Sequence, residues 1–280
     1  MWVLHQLDPE STAYHVLGTL ELKGAIDGHR LRTAFQQVVS RHDILLSRHL
    51  LANDRPIVEI NHDVLPELNH ATEGGSTAGQ LIQHFANKPF DLEHDTPIRA
   101  LLIARGPHDH LLSICAHHIA VDGWSMRILA NELAQTYQSL STEHSLDLPP
   151  ASSYLEYASS HRKWIEKGSV DSQIGYWRAR LEGHPGVLNL PTDFPRPAKP
   201  SSAGALVERP LPAALASQVS EIAGRHKATP FMVHLAAFLL LLRQHGTGSD
   251  VVVAIPIANR NHSESDSLVG TLVNTLPFRF

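Results

Sequence analysis

The chain has 280 residues, of which 42% are hydrophobic and 18% are charged, and its formal net charge is −5. This composition is that of a globular protein able to bury one or two cores, and the acidic balance disfavours nucleic acid as a ligand. The single cysteine, Cys115, excludes an internal disulfide and fits a reducing cytoplasm. The most apolar run, residues 231–242, is shorter than the ~20 residues of a membrane span, so we expect a cytoplasmic protein with no membrane segment.

Strand-like and helix-like segments alternate through the first half of the chain. A strand is predicted over residues 16–24, followed by a helix over residues 31–42 with Asp27 placed to cap its start. A short β-rich run at residues 55–61 precedes a helix over residues 78–90 that stops near Pro89. Two apolar strand-length runs, IRALLIAR and HLLSICAHH, flank the turn sequence GPHDH. This order predicts a mixed α/β fold.

Helices dominate the sequence after residue 124. One face of the predicted helix at residues 125–140 carries apolar side chains at helical spacing, and two more helices are predicted over residues 153–167 and 174–181. Five prolines within residues 183–204 exclude a helix or central strand, so this segment is predicted to be an extended linker. Helices follow at residues 212–226 and 229–246, the second capped by Thr229. The second of these helices and a strand at residues 250–257 are expected to be buried, and the end of the chain is expected to be β-like.

The stretch CAHHIAVDGWSM, residues 115–126, places two adjacent histidines after an apolar run. A metal site is disfavoured, because adjacent histidines at a strand end point to opposite faces and no further ligand lies at a zinc spacing. A structural role is the second interpretation, since a histidine at a strand end is more often a satisfied structural residue than a catalyst.

An acid–base role is the third interpretation. A histidine titrates near neutral pH and can take or give a proton, while Asp122 can hold the loop through an arginine. Gly123 leaves room for a substrate or a thin cofactor arm, and the helix that begins near Ser125 has a positive dipole end. These features suit acyl transfer. The residues of this stretch alone leave the structural and the catalytic interpretations open.

HHIAVDGWS resembles the HHxxxDG signature of the condensation domains of nonribosomal peptide synthetases, which wax ester synthases and polyketide-associated acyltransferases also carry. Other stretches resemble further motifs of that family in the right order along all 280 residues: MWVLHQLDPESTAYHV, RHDILLSRH, SYLEYASSHRKW with Glu156 for the usual Asp, and VGTLVNTLPFR with Thr271 and Leu272 in its variable part. The opening motif lacks the residues that would precede Met1, and the family's last two motifs would follow Phe280. The chain is therefore identified as a member of this family, truncated at its end.

The resemblance implies an α/β (α+β) fold like that of chloramphenicol acetyltransferase, with two lobes set in a V and the active site in a tunnel between them. Residues 1–182 would form the N-terminal lobe, residues 183–204 the proline-rich linker, and residues 205–280 the first part of an incomplete C-terminal lobe.

The implied reaction is amide bond formation between a donor acyl or peptidyl thioester and an acceptor aminoacyl thioester. Both substrates arrive on the phosphopantetheine arms of upstream and downstream carrier proteins, beside an adenylation domain; the domain itself binds no cofactor and no metal. His118 is expected to be the catalytic histidine and His117 its support. Asp122 would pair with Arg260, or alternatively with Arg41. The remaining expected site residues border the pantetheine arm or the substrate: Gly123, Trp124 and Asn274.

Three other functions share this fold. An O-acyltransferase would use an alcohol as acceptor, and the flanking RHD, EYA and VNT sequences argue against it. An epimerisation domain usually lacks a tryptophan directly after the DG sequence, so Trp124 favours condensation. A non-catalytic recruitment domain typically degrades the HHxxxDG motif, which is intact here. Whether an incomplete domain is active stays open.

Overall fold

A computed structural model describes residues 1–142, 148–188, 190–195, 197–198, 205–246, 248–261 and 263–280. The strands are β1 (His15–Lys23), β2 (Ser47–Ala52), β3 (Arg55–Ile60), β4 (Leu68–Thr72), β5 (Ile98–Gly106), β6 (Asp109–His117), β7 (Val252–Ile257) and β8 (Asn274–Arg279). The helices are α1 (Trp2–Leu7), α2 (Gly28–Arg41), α3 (Ala78–Ala86), α4 (Gly123–Thr142), α5 (Tyr154–Glu166), α6 (Asp171–Leu181), α7 (Ala213–Arg225), α8 (Pro230–Gln244) and α9 (Ser263–Asp266), with a 3₁₀ turn at Asp43–Leu46.

The chain forms two compact units. The first unit contains Met1–Gly168 and Ala258–Asn274, and the second contains Ser169–Ile257 and Thr275–Phe280. Residues 258–274 belong to the first unit because they hydrogen-bond to α4 and to the loop before it. Within the predicted linker, residues 189, 196 and 199–204 lie outside the described residues. The lobe boundary at residue 182 and the linker therefore stay predictions.

The first unit is built on a four-stranded sheet with the order β1-β6-β5-β4. The pairs β1–β6 and β5–β6 are antiparallel, whereas β4 runs parallel to β5. Strand β6 lies inside this sheet, and alternate side chains serve two clusters: Leu112 and Ile114 pack with the core residues of α2 and α4, while Leu111 and Cys115 pack with those of α3. Because helices cover both faces, β6 is buried almost from end to end, and it delivers its last residue, His117, into the core.

Local sequence signals explain several of these elements and confirm their predictions. The Asp27 carboxylate accepts hydrogen bonds from the amides of His29 and Arg30 and so caps α2. Thr229 caps α8 through the amide of Met232, with a proline in the first turn. The β5–β6 hairpin and the helices α4 and α5 also form where the patterns predict them. Strand β4, with the sequence LNHAT, had no predictive pattern; it forms because β5 offers it a free edge.

The second unit departs from the predicted burial. Helix α8 was expected to be buried, but Leu242 is the one buried residue along its fully described length, and Phe231 and Leu240 are exposed. This prediction is wrong because α8 packs within its unit on α7, which covers one side of an all-round apolar helix. Strand β7 was also expected to be buried, but it pairs with β8 in a two-stranded sheet, and four of its six residues are half-buried while two are exposed. Across the described parts of the chain, no helix is both long and apolar enough to cross a membrane.

Candidate active site

The loop that follows β6, residues 117–122, is called the site loop below. His117, at its start, is 1% exposed, and its ring lies edge-on to the rings of His5 and Phe90, with centroids 5.5 and 6.2 Å away. Its Nδ1 accepts a hydrogen bond from the backbone amide of Ile119 at 3.1 Å. Burial, helped by neighbouring histidines, lowers the pKa of His117 to about 3. At neutral pH the ring is therefore neutral, with its proton on Nε2, and Nδ1 serves the turn.

Three more histidines surround His117 and share its environment. His5 and His49 are buried, and burial lowers the pKa of His49 to about 4 and that of His5 in the same direction. His15, whose Nδ1 donates to the carbonyl of Ala86 at 2.6 Å, also has a pKa lowered chiefly by burial. Within the described residues, no group of three or more His, Cys, Asp or Glu side chains is arranged to hold a metal ion. These histidines thus act as neutral packing groups at pH 7.

His118 differs from His117 in its burial and in its hydrogen bonds. It is half-buried, its amide donates to the carbonyl of Tyr14 at 2.7 Å, and its carbonyl accepts the hydroxyl of Thr271. The ring Nδ1 lies below the surface without a hydrogen-bond partner among the described residues. The backbone of His118 is therefore fixed on both sides, while this ring nitrogen retains an unused hydrogen-bonding capacity among the described residues.

Asp122, at the end of the site loop, is 4% exposed and carries out two tasks. Its Oδ1 accepts from the amide and the hydroxyl of Ser125, at 2.8 and 2.7 Å, and so caps the start of α4. Both of its oxygens also accept from Nη2 of Arg260, at 3.0 and 3.1 Å, and Oδ2 accepts from the amide of Leu272 at 3.2 Å. Burial by itself raises the pKa of Asp122, but Ser125, Arg260 and Leu272 together outweigh it and hold the pKa below its ordinary value.

The structure separates the two candidate arginines. Arg260 is the partner of Asp122, and its side chain is 1% exposed. Arg41 instead donates to Glu132 at 3.3 Å and to the carbonyl of Pro149 at 2.8 Å. Glu132 also lies 2.9 Å from Nε2 of His42, so Arg41 belongs to a separate polar cluster between α2 and α4. The alternative pairing of Asp122 with Arg41 is therefore wrong.

Residues 268–272, called the strap below, cross the start of α4. Arg260 donates to the carbonyl of Leu268 at 2.7 Å, and the Ser125 hydroxyl accepts from the amide of Gly270 at 3.0 Å. Ser125 is fully buried and links Asp122, Arg260 and the strap. No role was predicted for Ser125 from the sequence, although an aspartate directly before a helix is a common N-cap residue.

Gly270 and Tyr154 explain why the strap lies where it does. The backbone of Gly270 has a φ of +157°, and a Cβ there would stand 2.0 Å from the Tyr154 ring. Only glycine allows the strap to lie against that ring, and the Tyr154 hydroxyl then donates to the carbonyl of Thr271 at 3.0 Å. The ring of Tyr154, at the start of α5, therefore determines how closely the strap approaches that helix.

The other expected site residues lie around this network. Gly123 is exposed, with no atom within 4 Å of the position of a Cβ. The indole of Trp124 donates to the carbonyl of Asp266 at 2.9 Å, and the Arg127 guanidinium stands 4.2 Å from its ring. Asn274 is exposed and lines a groove of about 820 Å³ together with residues of α5, among them Tyr157 and His161. His118, Asp122 and Arg260 are joined through the strap, and the strap residues Thr271 and Leu272 also line the groove that contains Asn274.

The family model described as Condensation domain matches residues 1–280. The chain is 35% identical to Malpinin synthetase of Mortierella alpina and 33% identical to Tyrocidine synthase 3 of Brevibacillus parabrevis, in both cases over 100% of this chain and 4% of the relative. It is 31% identical to Phosphinothricin tripeptide synthetase PhsC of Streptomyces viridochromogenes, over 100% of this chain and 26% of that protein. The chain thus spans a small part of these curated relatives.

Solved structures share the fold. The crystal structure of SgcC5 from Streptomyces globisporus, in complex with a naphthyl ethanediol and sucrose, has a TM-score of 0.79 at 27% identity, over 97% of this chain and 62% of that one. The X-domain from teicoplanin biosynthesis has a TM-score of 0.86 at 25% identity, over 99% and 63% of the two chains. The first condensation domain of the CDA synthetase, at 22% identity, agrees in fold with a TM-score of 0.85. The chain belongs to the condensation-domain family, which confirms the predicted family and fold.

Proposed function

We propose that this chain is the part of a nonribosomal peptide synthetase condensation domain that contains its acid–base residue, and that the domain forms an amide bond between two carrier-bound substrates. The curated relatives with the same family match are peptide synthetases and synthases, among them Phosphinothricin tripeptide synthetase PhsC and Tyrocidine synthase 3. The observation that carries the proposal is the asymmetry of the histidine pair: His117 is buried and used by the turn, whereas His118 has a fixed backbone and an unpartnered ring nitrogen.

In the proposed reaction, the acceptor amine attacks the carbonyl carbon of the donor thioester. His118 accepts the proton that the amine nitrogen loses as the C–N bond forms, and returns a proton to the departing sulfur as the C–S bond breaks. A thioester is already activated, so orientation of the two reactants supplies a large part of the rate, on the order of 7–11 kcal/mol of barrier for well-oriented groups. The protein's contribution is thus a histidine able to transfer a proton, held through its backbone amide and carbonyl.

Asp122 and Arg260 support that loop without taking part in proton transfer. Both are almost fully buried and bind each other, Ser125 and the strap. Gly123 borders the path of the phosphopantetheine arm, since the space beside it is open, and Trp124 and Asn274 contact the substrates. Upstream and downstream carrier proteins deliver the two thioesters, with an adenylation domain beside them, and the chain itself binds no cofactor.

Transfer to an alcohol is the second candidate function. It is favoured by one comparison, the structure of SgcC5, which was solved with a diol bound. The same histidine would then take the proton of a hydroxyl group, and an ester would form in place of the amide. A comparison of amine and alcohol acceptors separates the two reactions.

The experiment compares His118→Ala with His94→Ala in the purified protein. His94 is an exposed histidine, 73% accessible, whose loss leaves the site loop untouched. Acyl thioesters of N-acetylcysteamine serve as donors, with aminoacyl thioesters or alcohols as acceptors, and product is followed by mass spectrometry. We expect His118→Ala to lower amide formation about 10²-fold or more, the effect of losing a general base, and His94→Ala to leave it unchanged. Equal rates for the two variants would refute the assignment, and product with alcohols alone would favour the second function.

A further inference from the structure

The backbone of His118 is held from two directions. On one side its amide donates to the carbonyl of Tyr14, the residue before β1. Because this is a main-chain carbonyl, the contact does not depend on which side chain stands at position 14. On the other side its carbonyl accepts from the side chain of Thr271. The second contact depends on the identity of one residue, because a main-chain group does not supply it.

The Thr271 hydroxyl lies between two carbonyl oxygens of the site loop. It contacts the carbonyl of His118 and stands 3.1 Å from the carbonyl of Val121. The loop between those residues is a tight turn, with the amide of Ala120 bonded to the carbonyl of His117 at 3.0 Å. Without a donor between them, two carbonyl oxygens would face each other below the surface with no partner, which is costly.

The strap holds this hydroxyl in place from several sides. Gly270 binds the Ser125 hydroxyl through its amide, the carbonyl of Thr271 accepts from Tyr154, and the amide of Leu272 donates to Asp122. Each of these main-chain bonds therefore ends on a residue that is itself anchored in α4, in α5 or in the site loop. A hydroxyl on such a segment is a pre-positioned donor.

We propose that Thr271 is a positioning residue for His118: its hydroxyl fixes the carbonyl of His118 and thereby the direction of the ring. The motif VGTLVNTLPFR has Thr271 in its variable part, so the role belongs to this chain and is not given by the motif. The effect on the reaction rate rests on the proposed function of His118, whereas the effect on the position of the ring does not. Displacement of a reacting group by about 1 Å is enough to cost up to about 10²-fold in rate.

The structural test uses histidine-ring NMR signals of the purified protein. The sequence contains 20 histidines, and the signals of His118 are those that His118→Ala removes. Thr271→Val replaces the hydroxyl by a methyl group of similar size, and Thr271→Ser restores it. Thr33→Val is the matched control, because Thr33 also donates its hydroxyl to a main-chain carbonyl, that of His29 in α2. We expect the His118 signals to shift in Thr271→Val and to stay near their original positions in Thr271→Ser and Thr33→Val.

The kinetic test applies the same variants to the thioester assay. Because the Thr271 hydroxyl donates to two main-chain carbonyls of the site loop, Thr271→Val is expected to lower kcat about 10- to 100-fold with little change in KM, and Thr271→Ser to recover most of that loss. Thr271→Ala, which places no methyl group between the carbonyls, gives the same comparison if Thr271→Val moves the signals of all histidines to the common positions of an unfolded chain and so shows a loss of the fold.

The outcomes separate the two hypotheses. Unmoved His118 signals in Thr271→Val and Thr271→Ala overturn the inference, whatever the rates are. The inference is also overturned if Thr271→Val shifts the His118 signals and keeps the full rate while His118→Ala is inactive, since the position of the ring would then not matter. If Thr271→Val shifts the His118 signals and His118→Ala keeps the full rate, the positioning contact is upheld and the proposed function of His118 is refuted.

Discussion

Two aspartate–arginine pairs, one in each unit, show how the same chemistry acts in different surroundings. Asp122 and Arg260 meet at 3.0 Å with side chains 5% and 1% exposed, whereas Asp250 and Arg279 meet at 2.7 Å with side chains 43% and 22% exposed. The pair of the second unit is shorter, and Arg279 uses two nitrogens, Nε and Nη2, one for each carboxylate oxygen, where Arg260 uses Nη2 alone. Distance alone would rank it as the stronger, but an exposed pair exchanges hydrogen bonds with water and contributes little.

The neighbours of the two pairs differ as much as their burial. Asp122 also caps α4 and binds the strap, so its pair ties together segments that are 138 residues apart in sequence. Arg279 also donates to the carbonyls of Arg180 and Glu182, all of them at the surface. The first pair therefore fixes the site loop, while the second pair lies at the surface beside a two-stranded sheet. Breaking each pair in the same way tests this comparison.

The largest expected effect comes from Arg260→Met, with Arg279→Met as the matched variant. Removing Arg260 leaves the Asp122 carboxylate buried without its counter-charge, which typically costs about 3–5 kcal/mol. Removing Arg279 leaves Asp250 in contact with water, so only a small loss is expected. Hydrogen exchange of amides in β6 and in β7 reads the free energy of opening in each unit separately.

The double variant Asp122→Asn with Arg260→Met sharpens this result. No charge is left buried in it, so we expect it to recover part of the stability that Arg260→Met loses. If Arg260→Met and Arg279→Met lowered the free energy of opening equally, each measured in the part of the chain that contains it, burial would not distinguish the two pairs.

Acid should affect the first unit before the second, because the buried histidines His117 and His49 lie in the first. The folded-state pKa is about 3 for His117 and about 4 for His49, below the value near 6.5 of an unfolded chain. Their contribution to stability is fully present above pH 6.5 and is lost as the pH falls towards 4, since the unfolded state then binds more protons. The opening free energy of β6 should therefore fall by up to about 1.4 kcal/mol per pH unit for each such histidine.

His117→Asn tests this dependence, because the asparagine oxygen can accept from Ile119 but does not titrate. Its opening free energy should fall less steeply between pH 6.5 and pH 4 than that of the unchanged protein. Asparagine in place of the exposed His226 of the second unit is the control and should leave the slope for β6 as it was. A slope that His117→Asn does not alter would contradict the assigned burial of its ring.

The elements of the first unit were predictable because their patterns are local. Apolar runs of strand length around a turn gave β5 and β6, and Asp27 marked the start of α2. The burial of α8 was not predictable in the same way. An apolar sequence indicates that a helix face needs a packing partner, but it does not indicate which residues supply that partner. Strand β4 is polar in sequence and depends on the edge of β5, which no local pattern reveals.

At the candidate site, the sequence indicated which residues matter and not how they are joined. The opposed directions of His117 and His118 follow from the alternation of a strand, and a charged Asp122 before a helix calls for a counter-charge. The choice between Arg260 and Arg41 required the fold, since both are distant in sequence. Ser125 and Thr271 were not assigned roles, because a hydroxyl that bridges two segments has no local signature.

Salt gives the smallest effect and separates the two pairs by screening. In 1 M salt the Debye length is about 3 Å, close to the separation of the exposed pair, so its attraction is weakened, while ions do not reach a buried pair. The coupling between Asp250 and Arg279, from a double-mutant cycle read by hydrogen exchange in β7, should fall between low and high salt. The coupling between Asp122 and Arg260, read in β6, should stay nearly constant. If both couplings fell together, solvent ions would have access to the strap, and the rigid support that it gives His118 would have to be rejected.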